Sequence, residues 1–144
     1  SDNAVVVSTG PSLYKQLPLL KKFQKYLTIL SVDASLPILQ KEGIKPDFVF
    51  SMERVEATAK FFENLDKELL KDTLFIVSSV SHPQTIENLK DMKIAISQRP
   101  FGYIKMFKLN RWGNLGLGMS AANMAFDFAY ISKFQNIALI GQDL

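Results

Sequence analysis

The sequence predicts an α/β fold, a doubly wound and mostly parallel sheet with helices on both faces. Short apolar runs rich in β-branched residues recur along the chain, and they are continuous rather than alternating, as is typical of strands buried on both faces of a parallel sheet. Helical patterns separate these runs, which gives the element order of α/β proteins. The predicted strands are residues 5–8, 27–32, 48–51, 74–79, 94–97 and 137–140.

Apolar residues at helical spacing predict the connecting helices. One of these helices is expected to start with a capping box formed by Ser81 and Gln84. The last helix is rich in Ala, Met and Phe and nearly uncharged, so we expect it to be buried almost all round. The predicted helices are residues 13–25, 57–70, 81–91 and 119–132.

The composition is that of one ordinary globular domain. The 144 residues are 47% hydrophobic and 22% charged, which is enough for a real core. The net charge of +3 comes from lysines scattered among acidic residues, so no nucleic-acid partner is implied. The absence of cysteine excludes disulfides, thiol catalysis and Cys-ligated zinc, and the single histidine excludes a His-rich metal site.

No apolar run approaches the roughly 18 residues of a membrane span, and no charged-then-apolar leader opens the chain. We therefore expect no membrane span and a cytoplasmic location. Residues 1–4, Ser-Asp-Asn-Ala, are interpreted as a cloning remnant. Residues 5–144 are interpreted as a single domain taken from a longer chain, because the sequence stops directly after an apolar strand-like run.

The turn after the first predicted strand reads Thr9, Gly10, Pro11 and Ser12. A strand, a glycine turn and a helix N-terminus aim backbone N–H groups and the positive end of a helix dipole at one point, which suits a phosphate. The turn lacks both the G-x-G-x-x-G fingerprint and a Walker A lysine. An ordinary βα turn, in which Ser12 helps to cap the helix, therefore remains the alternative.

Other polar residues follow the predicted strands, where ligands of open parallel sheets bind. Asp33 is a candidate for accepting ribose hydroxyls, or it caps the short helix near Ser35. Glu53 and Arg54 form either a solvated ion pair or a guanidinium site for a phosphate oxygen. The remaining candidates at strand ends are Ser51, Ser79 and Asp143.

A second glycine-rich segment precedes the last predicted helix. It contains Gly113 and Asn114, and Ser120 lies in the first turn of the helix, where N–H groups are free. Two interpretations fit this glycine-rich segment: its backbone approaches a ligand closely, or it is only a flexible loop. His82 is the only imidazole in the chain, and hence the only histidine candidate for a base at neutral pH; a plain helix N-terminus is its alternative role.

Four stretches together resemble the bacterial motility accessory factor family, in its central glycosyltransferase-like domain. They are T-G-P-S-L and D-A-S-L-P after strands one and two, G-I-K-P-D-F-V-F-S-M-E-R at strand three, and the end of the chain from G-N-L-G-L-G-M-S to I-G-Q-D-L. Members of that family are thought to attach nonulosonic acids, such as pseudaminic or legionaminic acid, to flagellin Ser/Thr residues from CMP-activated donors. The family is also distantly similar to bacterial sialyltransferases.

The resemblance implies a Rossmann-like, nucleotide-sugar-binding domain with a CMP-sugar donor and flagellin as acceptor. It implies Gly10, Pro11 and Ser12 at the donor phosphate and Asp33, with residues 51–54, near the nucleoside. Ser120 would lie on the far side of the nucleotide, and Asp143 would close the pocket. Sialyltransferases have a catalytic histidine, and His82 does not obviously occupy its position. The catalytic base is therefore unassigned.

The G-P-S-L and terminal G-x-D features also resemble a second family, the archaeal-type hydroxymethylpterin pyrophosphokinases. These enzymes transfer diphosphate from ATP. In that case Mg²⁺ would be held by carboxylates such as Asp33, Glu53 or Asp143. A third possibility is a non-catalytic nucleotide-binding domain that has kept the fold without the chemistry.

Overall fold

The computed structural model describes residues 2–98, 102, 106–108, 113–115 and 120–143. Within them six strands form one sheet in the order β5-β4-β3-β2-β1-β6, and every neighbouring pair is parallel. The predicted fold class is confirmed, and each strand lies within two residues of its predicted position. The strands are β1 (Asn3–Val7), β2 (Thr28–Val32), β3 (Phe48–Ser51), β4 (Leu74–Ser78), β5 (Lys93–Ser97) and β6 (Asn136–Ile140).

Helices cover both faces of the sheet. The described α-helices are α1 (Leu13–Phe23), α2 (Leu36–Lys41), α3 (Pro83–Asn88) and α4 (Ala121–Ile131), and 3₁₀ helices span Gln24–Tyr26, Asp33–Ser35 and Glu56–Phe62. The first five strands follow one another across the sheet, and the chain then returns to place β6 on the other side of β1. The direction of winding therefore reverses between β1 and β6, which makes this the topological switch point.

The period-two alternation of β1 divides the core between the two faces. Ala4 and Val6 pack in the cluster that contains Met124 and Ala125 of α4. Val5 and Val7 pack on the opposite face, with the buried leucines of α1. Side chains of neighbouring strands complete both clusters, so Ala4 to Val7 of β1 are buried in the centre of the sheet. Among the described residues we find no helix with the length and hydrophobicity that a membrane span requires.

The prediction of a helix over residues 57–70 is wrong. A 3₁₀ helix ends at Phe62, and the chain continues in turns. The Gln40 side chain accepts the Asp66 N–H at 2.8 Å, and the Asp66 carboxylate accepts the Leu69 N–H at 3.0 Å. These side-chain acceptors compete with helical hydrogen bonds, while Phe62 and Leu70 still reach the core.

Two details of other helices also differ from expectation. The capping box is not formed: α3 begins at Pro83, and its cap is His82, whose Nδ1 accepts the Gln84 N–H at 3.2 Å. The last helix is buried on one side only, because it packs over β1 to β3 and leaves β6 largely uncovered. As a result Phe126, Tyr130 and Ile131 are exposed.

Candidate functional site

A polar cavity of about 430 Å³ lies at the carboxyl ends of the strands, at the switch point. Segments that follow β1, β2, β3 and β6 converge there with the start of α4. This volume falls within the range of small-molecule sites. Its lining residues are Ser8, Thr9, Gly10, Val32, Asp33, Ala34, Glu53, Ser120, Ala121, Ala122, Gly141, Gln142 and Asp143.

The turns that follow β1 and β6 are joined by backbone hydrogen bonds. The Gly10 N–H donates to the Gly141 carbonyl at 2.7 Å. A Cβ on Gly10 would lie 2.6 Å from that carbonyl oxygen and even closer to a carboxylate oxygen of Asp143, so only glycine fits. Gly141 itself has a φ of 63°, in the left-handed region that favours glycine. The two turns therefore form one rigid wall of the cavity.

Asp143 is bound at the N-terminus of α1. Its carboxylate accepts the Ser12 N–H at 2.8 Å. This hydrogen bond to Ser12 lowers the pKa of Asp143, since it favours the charged form. The N–H groups of Gly10 and Leu13 also have backbone acceptors, and Pro11 has no N–H. The turn thus holds an anion, but the anion is a carboxylate of the chain itself.

Asp33 is a buried carboxyl group in the cavity wall, with a relative exposure of 7%. It accepts the Ser51 hydroxyl at 2.9 Å and the Ala34 N–H at 2.8 Å. Burial raises its pKa, and this effect outweighs the two hydrogen bonds; the nearby charge of Glu53 raises it further. A ligand that donates hydrogen bonds to Asp33 would favour its ionised form.

The N-terminus of α4 forms the opposite wall. Ser120 caps the helix through a hydrogen bond from the Asn123 N–H to its hydroxyl, at 3.3 Å. Ala121 and Ala122 occupy the first turn, where N–H groups have no partner within the helix. Both alanines line the cavity and carry no side chain beyond Cβ. A ligand can therefore approach this backbone closely, at the positive end of the helix dipole.

The structure brings together only part of the predicted site. Thr9, Gly10, Asp33, Glu53, Ser120 and Asp143 line the cavity, and Ser12 and Ser51 are hydrogen-bonded directly behind two of them. The other predicted residues do not line it; they are Pro11, Arg54, Ser79, His82, Gly113 and Asn114.

Four of these residues, Ser79, His82, Gly113 and Asn114, lie toward the β4 and β5 side of the sheet, whereas Pro11 lies in the turn after β1 and Arg54 follows β3. Asn114 forms a parallel bridge with Gln98, directly after β5. The Ser79 N–H donates to the Ser97 carbonyl at 2.9 Å. The His82 N–H donates to the Glu53 carbonyl at 3.2 Å. The His82 backbone therefore contacts a residue that lines the cavity but does not line it itself.

Two glutamines of the site were missed by the sequence-based prediction. Gln142 lines the cavity and accepts the Ser8 hydroxyl at 3.0 Å. Gln16, one turn into α1, accepts the Gly141 N–H at 3.0 Å and so supports the wall from behind. The position of Gln142 directly after a strand was a usable signal, whereas the role of Gln16 depends on tertiary packing alone.

No group of three or more His, Cys, Asp or Glu side chains among the described residues is arranged to hold a metal ion. Asp33, Glu53 and Asp143 line one cavity, where Glu53 is near Asp33 while Asp143 is bound at the turn after β1. Two of these carboxylates are engaged, Asp33 with Ser51 and Asp143 with Ser12. In the described part of the chain these residues therefore do not fit a Mg²⁺ site.

An all-parallel six-stranded sheet with a polar cavity at its switch point defines a Rossmann-like α/β domain. The chain belongs to the family described as 6-hydroxymethylpterin diphosphokinase MptE-like, whose family profile matches residues 1–144. Among solved structures it is similar to the Maf glycosyltransferase from Magnetospirillum magneticum AMB-1, with a TM-score of 0.83 and 22% identity. The match covers 99% of this chain and 23% of that one.

Both comparisons confirm the resemblances that the sequence motifs indicated. The diphosphokinase-like family is established by the profile, and the likeness to the motility accessory factor glycosyltransferase is one of fold. This chain spans less than a quarter of the length of that glycosyltransferase. The comparison with curated protein sequences finds no match.

Proposed function

We propose that the switch-point cavity binds a CMP-activated nonulosonic acid of the pseudaminic, legionaminic or sialic type for transfer to Ser/Thr hydroxyls of flagellin. The observation that carries this proposal is the convergence of Thr9, Gly10, Asp33, Ser120 and Asp143 on one cavity. The fold likeness to a glycosyltransferase supports it. The identities of the donor sugar and of the acceptor rest on the motif resemblance, and they are part of the proposal.

Asp33 would bind the nucleoside. Its carboxylate is buried and held by Ser51, so its oxygens keep a fixed direction. A ribose offers hydroxyl donors, and a buried carboxylate whose pKa is raised by desolvation gains from each donor it receives. Glu53, on the same wall, is exposed and would lie near the nucleoside rim.

The donor phosphate would lie between the N-terminus of α4 and the turn of Gly10, Pro11 and Ser12. Two sources of positive potential meet there, the first turn of α4 and the Ser12 N–H. The Asp143 carboxylate now accepts that N–H. A phosphate that reaches the Ser12 N–H would therefore have to displace Asp143.

Negative charge grows on the CMP phosphate as the glycosyl bond breaks. The α4 N-terminus supplies fixed backbone dipoles directed at this position, which lowers the energy of a transition state in which that charge develops. The acceptor hydroxyl must lose a proton, and no base is assigned. His82 does not line the cavity, and its Nδ1 is engaged by the Gln84 N–H. Its role as a base remains a prediction.

Four outlying residues remain predicted contacts of a larger donor. Arg54, Ser79, Gly113 and Asn114 would contact the donor only if it extends from the switch point along the strand ends toward β5. That direction suits the sugar, since the nucleotide would fill the cavity itself. Each contact is open to test by substitution of the single residue.

The family match favours a second candidate, diphosphate transfer from ATP to a hydroxymethylpterin. The same cavity and the same α4 N-terminus would then bind the ATP phosphates. The two candidates differ in the nucleotide and in the need for a metal ion. A nucleotide-binding domain without catalytic activity is the third possibility.

Isothermal titration calorimetry with CMP, CDP, ATP and GTP, each with and without Mg²⁺, separates these candidates. The transferase proposal predicts selective, metal-independent binding of cytidine nucleotides. Metal-dependent ATP binding would support the diphosphotransferase instead. Failure of all four nucleotides to bind the folded chain would contradict both enzymes. Asp33→Asn should weaken the cytidine interaction, while Asp91→Asn, at an exposed ion pair with Lys67 remote from the cavity, serves as the control.

A further inference from the structure

Glu53 carries a carboxylate without a bonded partner in the switch-point cavity. It lines the cavity and is exposed. Within the described part of the chain no hydrogen bond or ion pair reaches this side chain. The two other carboxylates of the lining are engaged, since Asp33 accepts the Ser51 hydroxyl and Asp143 accepts the Ser12 N–H. Of the acidic side chains in this lining, Glu53 is therefore the one whose oxygens are open to a ligand.

The backbone around Glu53 is held on both sides. Ser51 is buried, and its hydroxyl donates to Asp33 at 2.9 Å. Met52 is buried in the core cluster that contains residues of α4. The Glu53 carbonyl accepts the His82 N–H at 3.2 Å. The exposed carboxylate thus projects from a fixed position in the cavity wall, which reduces the cost of ordering it around a ligand.

The place of Glu53 in the sheet suits the base of a bound nucleotide. Phosphate, ribose and base follow one another in a nucleotide, and the proposed function places the phosphate near Gly10 and the ribose at Asp33. Gly10 follows β1, Asp33 follows β2 and Glu53 follows β3, and these three strands are neighbours about 4.8 Å apart. Glu53 is also near enough to Asp33 for its charge to raise the pKa of that carboxyl group. A base that continues from a ribose at Asp33 would therefore meet Glu53.

The side chain that faces the base decides which hydrogen bonds the base can make. A carboxylate only accepts, whereas a guanidinium only donates. Arg54 directly follows Glu53 but does not line the cavity. Cytosine carries an exocyclic amino group, which donates, and uracil carries a carbonyl oxygen at the same position, which accepts. The ring N–H of uracil lies between two carbonyl oxygens, and these would repel an approaching carboxylate. This wall of the cavity therefore favours cytosine.

We propose that Glu53 selects cytidine over uridine nucleotides by accepting a hydrogen bond from the exocyclic amino group of cytosine. This inference rests on the proposed function, because it requires a nucleotide whose ribose is bound at Asp33. Uracil in the same place would set a carbonyl oxygen against the carboxylate and leave both acceptors without a donor. Adenine carries an amino donor too, so this contact separates cytidine from uridine and not CMP from ATP.

Isothermal titration calorimetry with CMP and with UMP at neutral pH tests this assignment. The two nucleotides share phosphate and ribose, so the ratio of their dissociation constants reports the contact with the base. The folded chain should bind CMP about tenfold or more tightly than UMP. Glu53→Gln should bring the two constants together, because an amide presents either an acceptor or a donor to the base. Glu53→Lys offers only donors and should reverse the order. Glu56→Gln, at an exposed glutamate outside the cavity lining, is the matched control and should keep the parent ratio.

Two results would overturn the assignment of Glu53. One is equal binding of CMP and UMP by the parent chain, and the other is a preference for CMP that persists in Glu53→Gln. Failure of both nucleotides to bind the folded parent chain would contradict the proposed cytidine site, and this inference with it. The two kinds of failure are distinguishable, because only the first leaves saturable CMP binding in place. Far-ultraviolet circular dichroism verifies that each variant is folded.

Discussion

Asp33 and Asp143 line the same cavity, but their surroundings shift their pKa values in opposite directions. Burial raises the pKa of Asp33, whereas the Ser12 hydrogen bond lowers the pKa of Asp143. One carboxylate is therefore costly to ionise and ready to receive donors, and the other is already satisfied. The sequence identified both residues by their positions after strands. It could not distinguish them, because desolvation and the Ser12 contact arise only when distant segments meet.

The raised pKa of Asp33 gives a prediction for stability against pH. A group with a raised folded-state pKa contributes stability that is complete below its unfolded-state pKa and is lost as pH rises through the raised value. An asparagine at this position does not ionise, so the variant does not lose stability in this way. The free energy of unfolding of Asp33→Asn, minus that of the parent chain, should therefore be higher at pH 7 than at pH 4. Urea unfolding at the two pH values measures it.

Asp72→Asn is the control with the opposite sign. Lys93 and Lys45 lower the pKa of Asp72, so its contribution is present above the unfolded-state pKa and is lost on acidification. This variant should lose more stability at pH 7 than at about pH 3, since pH 4 is still above the ordinary Asp pKa of 3.8. The same direction of change in both variants would show that Asp33 is not desolvated as described.

Gly10 is predicted to be irreplaceable for steric reasons. Gly10→Ala places a Cβ against the Gly141 carbonyl and the Asp143 carboxylate, and the overlap should cost about 1–3 kcal/mol of unfolding free energy. Gly102→Ala is the matched control, since no atom of the described residues lies within 4 Å of a Cβ built at Gly102. Chemical denaturation compares the two. Equal stabilities would mean that the turns after β1 and β6 are not in close contact.

At the scale of elements, α4 depends on its cap. Ser120→Ala removes the hydroxyl that accepts the Asn123 N–H, which should lower the unfolding free energy by about 1 kcal/mol. Ser132→Ala, at the exposed C-terminal end of the same helix, should change little. If the phosphate binds at this helix start, Ser120→Ala should also weaken cytidine nucleotide binding; a loss of stability with unchanged affinity would remove α4 from the phosphate site.

The strands were predictable from the sequence, while some helices were not. Buried parallel strands leave continuous apolar runs such as Val5 to Val7, which no other local structure explains as well. The segment around Phe62 has the apolar spacing of a helix, yet the Asp66 N–H donates to Gln40, a residue far away in the sequence, and the Asp66 carboxylate accepts the Leu69 N–H within the segment. The burial of α4 depended in the same way on which strands lie under it.

At the scale of the whole molecule, the position of the site is set by one topological event, the return of the chain to place β6 beside β1. The sequence predicted that polar strand ends would meet at one edge of the sheet. Strand order then divided them: the ends of β1, β2, β3 and β6 surround the cavity with α4, while those of β4 and β5 lie farther along the sheet. Strand order depends on long-range pairing, which local patterns do not encode.

An NMR titration of the ¹⁵N-labelled chain with CMP tests whether the switch-point cavity binds a nucleotide. We expect saturable amide shifts at Gly10, Ala34, Ala121 and Ala122, with small or no shifts at Ser79 and Asn114. Asp33→Asn should reduce the affinity without moving the shifts elsewhere. Shifts centred on α3 or β5, or no saturable shifts in the folded chain, would show that the nucleotide does not bind in this cavity.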